Sequence, residues 1–149
     1  KRFQSEFSEK LNVPRLIDPK IFKINHELFV TFNSGWIREG NDFFIMKVYP
    51  EFESPKRVVY KNRQKQERNW AFFPRDNDIY ALYWINSLKI LRLTDKDGAC
   101  WEFEDYSSEE TLNNKLPSDL TIGTQLSELE GKYYFIAHKK YFSRLLSLF

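Results

Sequence analysis

The chain has 149 residues, 17% of them aromatic, with 23 basic against 21 acidic side chains and a net charge of +2. That length suits one domain able to bury a core, and so many aromatics argue against disorder. A near-neutral total excludes a global field as the basis of binding, and one cysteine, Cys100, excludes an internal disulfide framework.

In chain order, Ser5 caps an expected first helix whose stripe is Phe3, Phe7 and Leu11. Pro14 and Pro19 are expected to end it and stiffen the connector. Strands are expected over residues 24–32 and 43–49, with turns at Asn33-Ser34-Gly35 and at residues 39–42 between them. A loop over 50–55 leads to a short strand over 57–62, a polar connector over 64–69 and a strand over 70–73 that Pro74 stops.

The most regular stretch is 79–104, where three aromatic and β-branched runs are separated by short polar turns, the pattern of an antiparallel meander. Residues 79–84 are apolar on both faces and predict a central strand covered on both sides. Ala99, Trp101 and Phe103 alternate with Cys100, Glu102 and Glu104, so that strand should be buried on one face only. A capping box at Ser107-Ser108-Glu109-Glu110 predicts a helix to about Leu116, and helical turns are expected over 124–130, ended by Gly131. A last strand over 132–137 precedes an amphipathic helix over 138–149.

Together these elements predict one β-rich domain over residues 1–149, of α+β class and mainly antiparallel β. Its expected form is a curled sheet or small barrel with short helices at both ends. The start at Lys1 and the apolar end at Leu148-Phe149 suggest a piece of a longer protein, or a last helix that docks on something. No apolar run approaches the ~18 residues of a membrane span, and no secretory leader opens the chain. An intracellular place is expected, where a lone thiol stays reduced.

The strongest functional signal is the basic stretch from Lys56 to Arg75. Lys56, Arg57, Lys61, Arg63, Lys65 and Arg68 are interleaved there with Tyr60 and Trp70. Cations neutralise phosphates and flat rings stack on unpaired bases, so this stretch suggests a hairpin with a basic outer face that binds DNA or RNA. An ordinary solvated hairpin with its rings in the core is about as common a use of such a pattern. Opposed to it, Asp95, Asp97, Glu102, Glu104, Asp105, Glu109 and Glu110 form an acidic pole. Of the four tryptophans, Trp84 and Trp101 are expected in the core, whereas Trp36 and Trp70 flank turns and are the ones expected to meet a partner.

Weaker signals are also present. Asp95-Lys96-Asp97-Gly98 opens like a calcium loop but lacks the third acidic ligand and the closing Glu, so a plain turn explains it. Asp119 with Glu130-Gly131-Lys132 has the residue order of a metal-dependent nuclease, in which two carboxylates hold a divalent ion beside a lysine. The acid-x-Lys should then lie inside a strand. His26, His138 and Cys100 show no spacing that demands nucleophilic chemistry or a zinc site.

The run Leu91-Arg92-Leu93-Thr94-Asp95-Lys96-Asp97-Gly98-Ala99-Cys100-Trp101-Glu102-Phe103 resembles the strand–turn–strand of plant-type B3 DNA-binding domains. The flanking order of elements departs from that family, and no residue role is carried over. The sequence reading is a non-enzymatic nucleic-acid-binding domain without cofactor or metal. Its alternatives are a protein-interaction module that docks other subunits through terminal helices, and the nuclease.

Overall fold

The structure, a computed structural model, describes residues 2–13, 15–35, 39–85, 87–106 and 119–139. Eight strands form its main sheet: β1 (Ile17–Ile24), β2 (Glu27–Asn33), β3 (Phe43–Tyr49), β4 (Lys56–Tyr60), β5 (Ala71–Arg75), β6 (Asp78–Trp84), β7 (Lys89–Asp95) and β8 (Cys100–Tyr106). They are ordered β1-β2-β3-β4-β8-β7-β6-β5. Each half is an antiparallel meander, and the halves join through one parallel pair, Arg57–Tyr60 beside Cys100–Phe103. The sheet curls until β1 and β5 approach, which makes a mainly antiparallel, nearly closed barrel. Phe22 of β1 and Phe72 of β5 stack across that seam with centroids 5.1 Å apart.

Ile45, Val58, Trp70, Phe72 and Leu91 fill the interior. The outer surface is covered in two places. Helix α1 (Arg2–Leu11) lays Phe7 and Leu11 over Phe32, Phe44 and Met46 of β2 and β3. On the other half, Ile122, Leu126 and Tyr133 pack on Phe73, Tyr80 and Leu82. They come from a segment of two small hairpin-like pairs, β9 (Leu120–Ile122) with β12 (Ala137–Lys139) and β10 (Ser127–Leu129) with β11 (Lys132–Tyr134).

Several expectations are corrected. Helices at both ends are not found: α1 is the one helix among the described residues. The helical turns expected over 124–130 are replaced by β10, because Glu130 and Gly131 have φ of 52° and 73° and form a two-residue hairpin turn rather than a helix stop. His138 and Lys139 belong to β12, while the helix expected over 107–116 and the rest of the one over 138–149 lie outside the described residues.

The first helix is ended by Asn12 rather than by proline. Asn12 has φ 52°, its N–H donates to Glu9 O at 3.1 Å, and Val13 N–H donates to Ser8 O at 3.0 Å, a Schellman cap. The strand expected over 24–32 is found as β2, beginning at Glu27, and β1, expected as a connector, precedes it through a hairpin at Asn25, whose φ of 54° suits a tight turn.

Pro19 and Pro74 sit inside β1 and β5, where edge strands tolerate a missing N–H. The free edge of β5 is also covered by side chains. Gln125 Nε2 donates to Trp70 O at 3.0 Å, its Oε1 accepts from Phe72 N–H at 2.8 Å, and the Tyr133 hydroxyl donates to Pro74 O. Such capping of a strand edge leaves few groups for another chain to pair with.

Since β4 and β8 run parallel and all other neighbours antiparallel, odd-numbered strands begin and even-numbered strands end at one end of the barrel. The chain passes from β2 to β3, from β4 to β5 (61–70) and from β6 to β7 at this near end, and the connectors 25–26, 50–55, 76–77 and 96–99 lie at the far end.

Candidate nucleic-acid interface

The longest described connector, residues 61–70, crosses the near end. It bonds to Asn41 before β3 and to Tyr83 near the end of β6. These strands stand four places apart in an order of eight, on facing sides of the barrel, so the loop spans the mouth.

Glu67 holds the loop down and is 8% exposed. Its Oε2 accepts from Trp70 Nε1 at 2.8 Å and from Arg63 Nε at 3.1 Å. Its Oε1 accepts from the Gln64 N–H and from the Tyr83 hydroxyl. Four donors, one of them a guanidinium, compensate the burial of a carboxylate. Burial, and then the hydrogen bond to Glu67, hold the Tyr83 phenol well above the usual tyrosine range.

Asn41 completes the attachment. Its Oδ1 accepts from Glu67 N–H at 2.9 Å and from Arg63 Nη2 at 3.0 Å. Its Nδ2 donates to Glu67 O at 2.7 Å, and its N–H donates to Lys65 O at 2.8 Å. Gly40 has φ 123°, and a Cβ there would fall 2.6 Å from Lys65 O, so the close approach of these two segments needs glycine.

The residues of the basic stretch take different places. Lys61, Lys65 and Arg68 are exposed, and no carboxylate among the described residues pairs with them. Arg63 is turned inward, its side chain only 15% exposed, as the partner of Glu67. Lys56 donates to Lys96 O in the β7–β8 turn, away from the loop. Arg57 pairs with Asp42 at 3.4 Å.

The expected stacking platforms are corrected. Tyr60 and Trp70 are 5% and 1% exposed, so neither ring is open to a base. Inward-facing alternation on β4 places Tyr60 with Val58, and its hydroxyl donates to Asp105 at 2.8 Å. Trp70 packs edge-on against Tyr83 and Phe103. Trp84, expected in the core, is 40% exposed. Alternation along β6 puts Ala81 and Tyr83 inside the barrel and Tyr80 and Leu82 outside it, and Trp84 follows them to the outer side beside a register shift against β7.

The described acids of the acidic pole are dispersed, and Glu109 and Glu110 lie outside the described residues. Asp95 and Asp97 lie by the far-end β7–β8 turn, where Asp95 Oδ1 accepts from Asp97 N–H at 2.8 Å, a plain Asx turn. Glu102 and Glu104 are exposed on β8, directly beside β4, so the expected basic face of that hairpin is interleaved with acids. Asp105 is near the loop and pairs with Lys89 at 3.0 Å. The Lys89 ammonium, and then the Tyr60 hydroxyl, hold its carboxyl below the usual range.

The nuclease arrangement is not assembled. Asp119 faces Lys139 at 3.7 Å. Glu130 sits in a turn at positive φ, and Lys132 begins β11, so the acid-x-Lys is not inside a strand. Among the described residues no group of three or more His, Cys, Asp and Glu could hold a metal ion, and no helix is long and apolar enough to cross a membrane.

Glu67, Asn41 and Trp84 are the residues the sequence reading missed as parts of the site. The signal for Glu67 was available: it is the one acid among four cations over residues 61–68. Beside the loop a cavity of about 680 Å³ is lined in part by Lys20, Arg68, Trp84 and His138. No family model matches this chain, and neither does any curated protein or solved structure.

Proposed function

We propose that the near end of the barrel binds nucleic acid without catalysis, through the loop over residues 61–70. The observation that carries this reading is that Lys61, Lys65 and Arg68 are exposed and unpaired among the described residues, on a backbone held by Glu67 and Asn41. Such cations meet phosphates without first leaving a carboxylate, and a fixed loop loses little entropy on binding. In this reading Arg63 positions the loop, and Tyr60 and Trp70 support it from the core. Lys56 and Arg57 contribute little, because one lies by the far-end turn and the other is paired with Asp42.

Docking of protein partners through the terminal helices has less support, since Phe7 and Leu11 of α1 already cover β2 and β3. The test of the proposal is a salt titration of binding to single-stranded and duplex DNA and RNA. Affinity should fall steeply with salt for at least one of them. The change Lys65→Glu with Arg68→Glu should weaken binding about tenfold or more while the melting temperature holds. Binding of none of the four by the wild type, or unchanged binding by the variant, would contradict it.

A further inference from the structure

We propose that the cavity beside the loop is a subsite for one unstacked nucleotide, with its base against Trp84 and its phosphate at Lys20 and Arg68. The inference rests on the reading of the loop as a nucleic-acid interface and extends it to a defined unit of the ligand. The cavity, about 680 Å³, falls within the range of small-molecule sites, roughly 300–1,000 Å³. That is room for a base, a sugar and a phosphate, and too little for a duplex.

Three features point to an anionic, aromatic ligand. The first is the ring. Trp70 and Trp101 are buried, whereas Trp84, at the end of β6, is 40% exposed and lines the cavity. An exposed indole at the wall of a cavity that also holds cations is a surface for base stacking, which every base can use.

The second is charge. Lys20 is half-buried on β1, and its Nζ donates to Asn69 Oδ1 at 2.9 Å. Burial lowers the pKa of this ammonium, with Asp18 acting in the opposite sense, so an anion in the cavity would supply the stabilisation that burial removes. Arg68 adds an exposed guanidinium suited to phosphate. Of the lining acids, Glu67 already receives four donors, and Asp18 accepts from Asn33 Nδ2 at 3.4 Å. The third is the set of amides: Gln64 and Asn69 line the same cavity and can meet the polar edge of a base.

The experiment has two arms. The first measures binding of a single-stranded oligonucleotide to wild type, Trp84→Ala and Trp84→Phe across a range of salt. Loss of one stacked base should weaken Trp84→Ala about tenfold at every salt concentration with the same slope, and Trp84→Phe should keep most of the affinity. The second titrates wild type with adenosine 5′-monophosphate and follows amide and indole NMR signals. Saturable shifts should appear at Trp84, Arg68 and Asn69.

If Trp84→Ala binds the oligonucleotide as wild type does, the subsite is overturned while the loop reading stands. If wild type binds no oligonucleotide, the loop reading falls and the mononucleotide titration decides the subsite alone. It also decides alone if Trp84→Ala does not fold. Absence of saturable shifts at those residues overturns the subsite in either case.

Discussion

At the far end of the barrel four connectors join neighbouring strands, two of them only two residues long, at 25–26 and 76–77. Asn25, Asp76 and Asn77 take positive φ there, so these turns are specified by their own residues. At the near end, ten residues cross between non-adjacent strands β4 and β5 and are held by Glu67 and Asn41, each bonded to groups distant in sequence. The charges differ as well. The far-end connectors carry Glu51, Glu53, Asp76 and Asp97 against Lys96, whereas the loop carries Lys61, Arg63, Lys65 and Arg68 against Glu67. One end is local, short and acidic; the other is cooperative, long and basic. A tight turn needs no buried polar group, but a loop laid across a barrel mouth does, and the same carboxylate that fixes it absorbs one of its four cations.

The comparison can be broken most severely at Glu67. Glu67→Ala should cost about 3–5 kcal/mol in a denaturant unfolding experiment, because it strands a largely buried guanidinium and leaves the Trp70 and Tyr83 donors without their acceptor. A loss below about 1 kcal/mol would show that the loop is held by something else. At the far end, Asn77→Ala should cost only about 1 kcal/mol, because alanine lacks the short polar side chain that lets asparagine tolerate the left-handed region, with no long-range partner involved.

A smaller effect sharpens the comparison through pH. Folded Tyr83 has a raised pKa, so the stability it contributes is full below about pH 10, where unfolded tyrosine titrates, and is lost as pH rises towards the folded value. The unfolding midpoint of the wild type should therefore fall more steeply above pH 10 than that of Tyr83→Phe. Asp105 acts in the opposite direction: its lowered pKa gives stability that is present above about pH 4 and lost as pH falls through the folded value. Lys89→Met should flatten that acid limb, and identical acid limbs would remove Lys89 as its cause.

The alternation of residues 79–104 made the second meander legible, because a period of two with short polar turns leaves few other folds open. Its pairing with the first half was not legible, since β4 and β8 meet in parallel between residues as far apart in sequence as Arg57 and Cys100, and nothing local encodes that contact. Pro19 suggested a stiff connector and Pro74 a strand end, and edge position overrode both. Trp70 and Trp84 exchanged their expected places: Trp70 packs inside the barrel at the end of the loop, and Trp84 follows Tyr80 and Leu82 onto the outer side of β6, where its cover is thinner. The basic stretch was visible as composition, but which cations remain free depends on Asp42, Glu67 and β8, and only tertiary structure brings those alongside.

The most direct test is the slope of log affinity against log salt for a single-stranded oligonucleotide. It should be measured for wild type, for Lys61→Glu with Lys65→Glu at the near end, and for Lys96→Glu at the far end. The near-end variant should lose about 1.4 from the magnitude of the wild-type slope, roughly 0.7 for each phosphate contact removed, and Lys96→Glu should lose nothing. Equal slopes for all three proteins, or a larger change from the far-end variant, would contradict the assignment of binding to the loop.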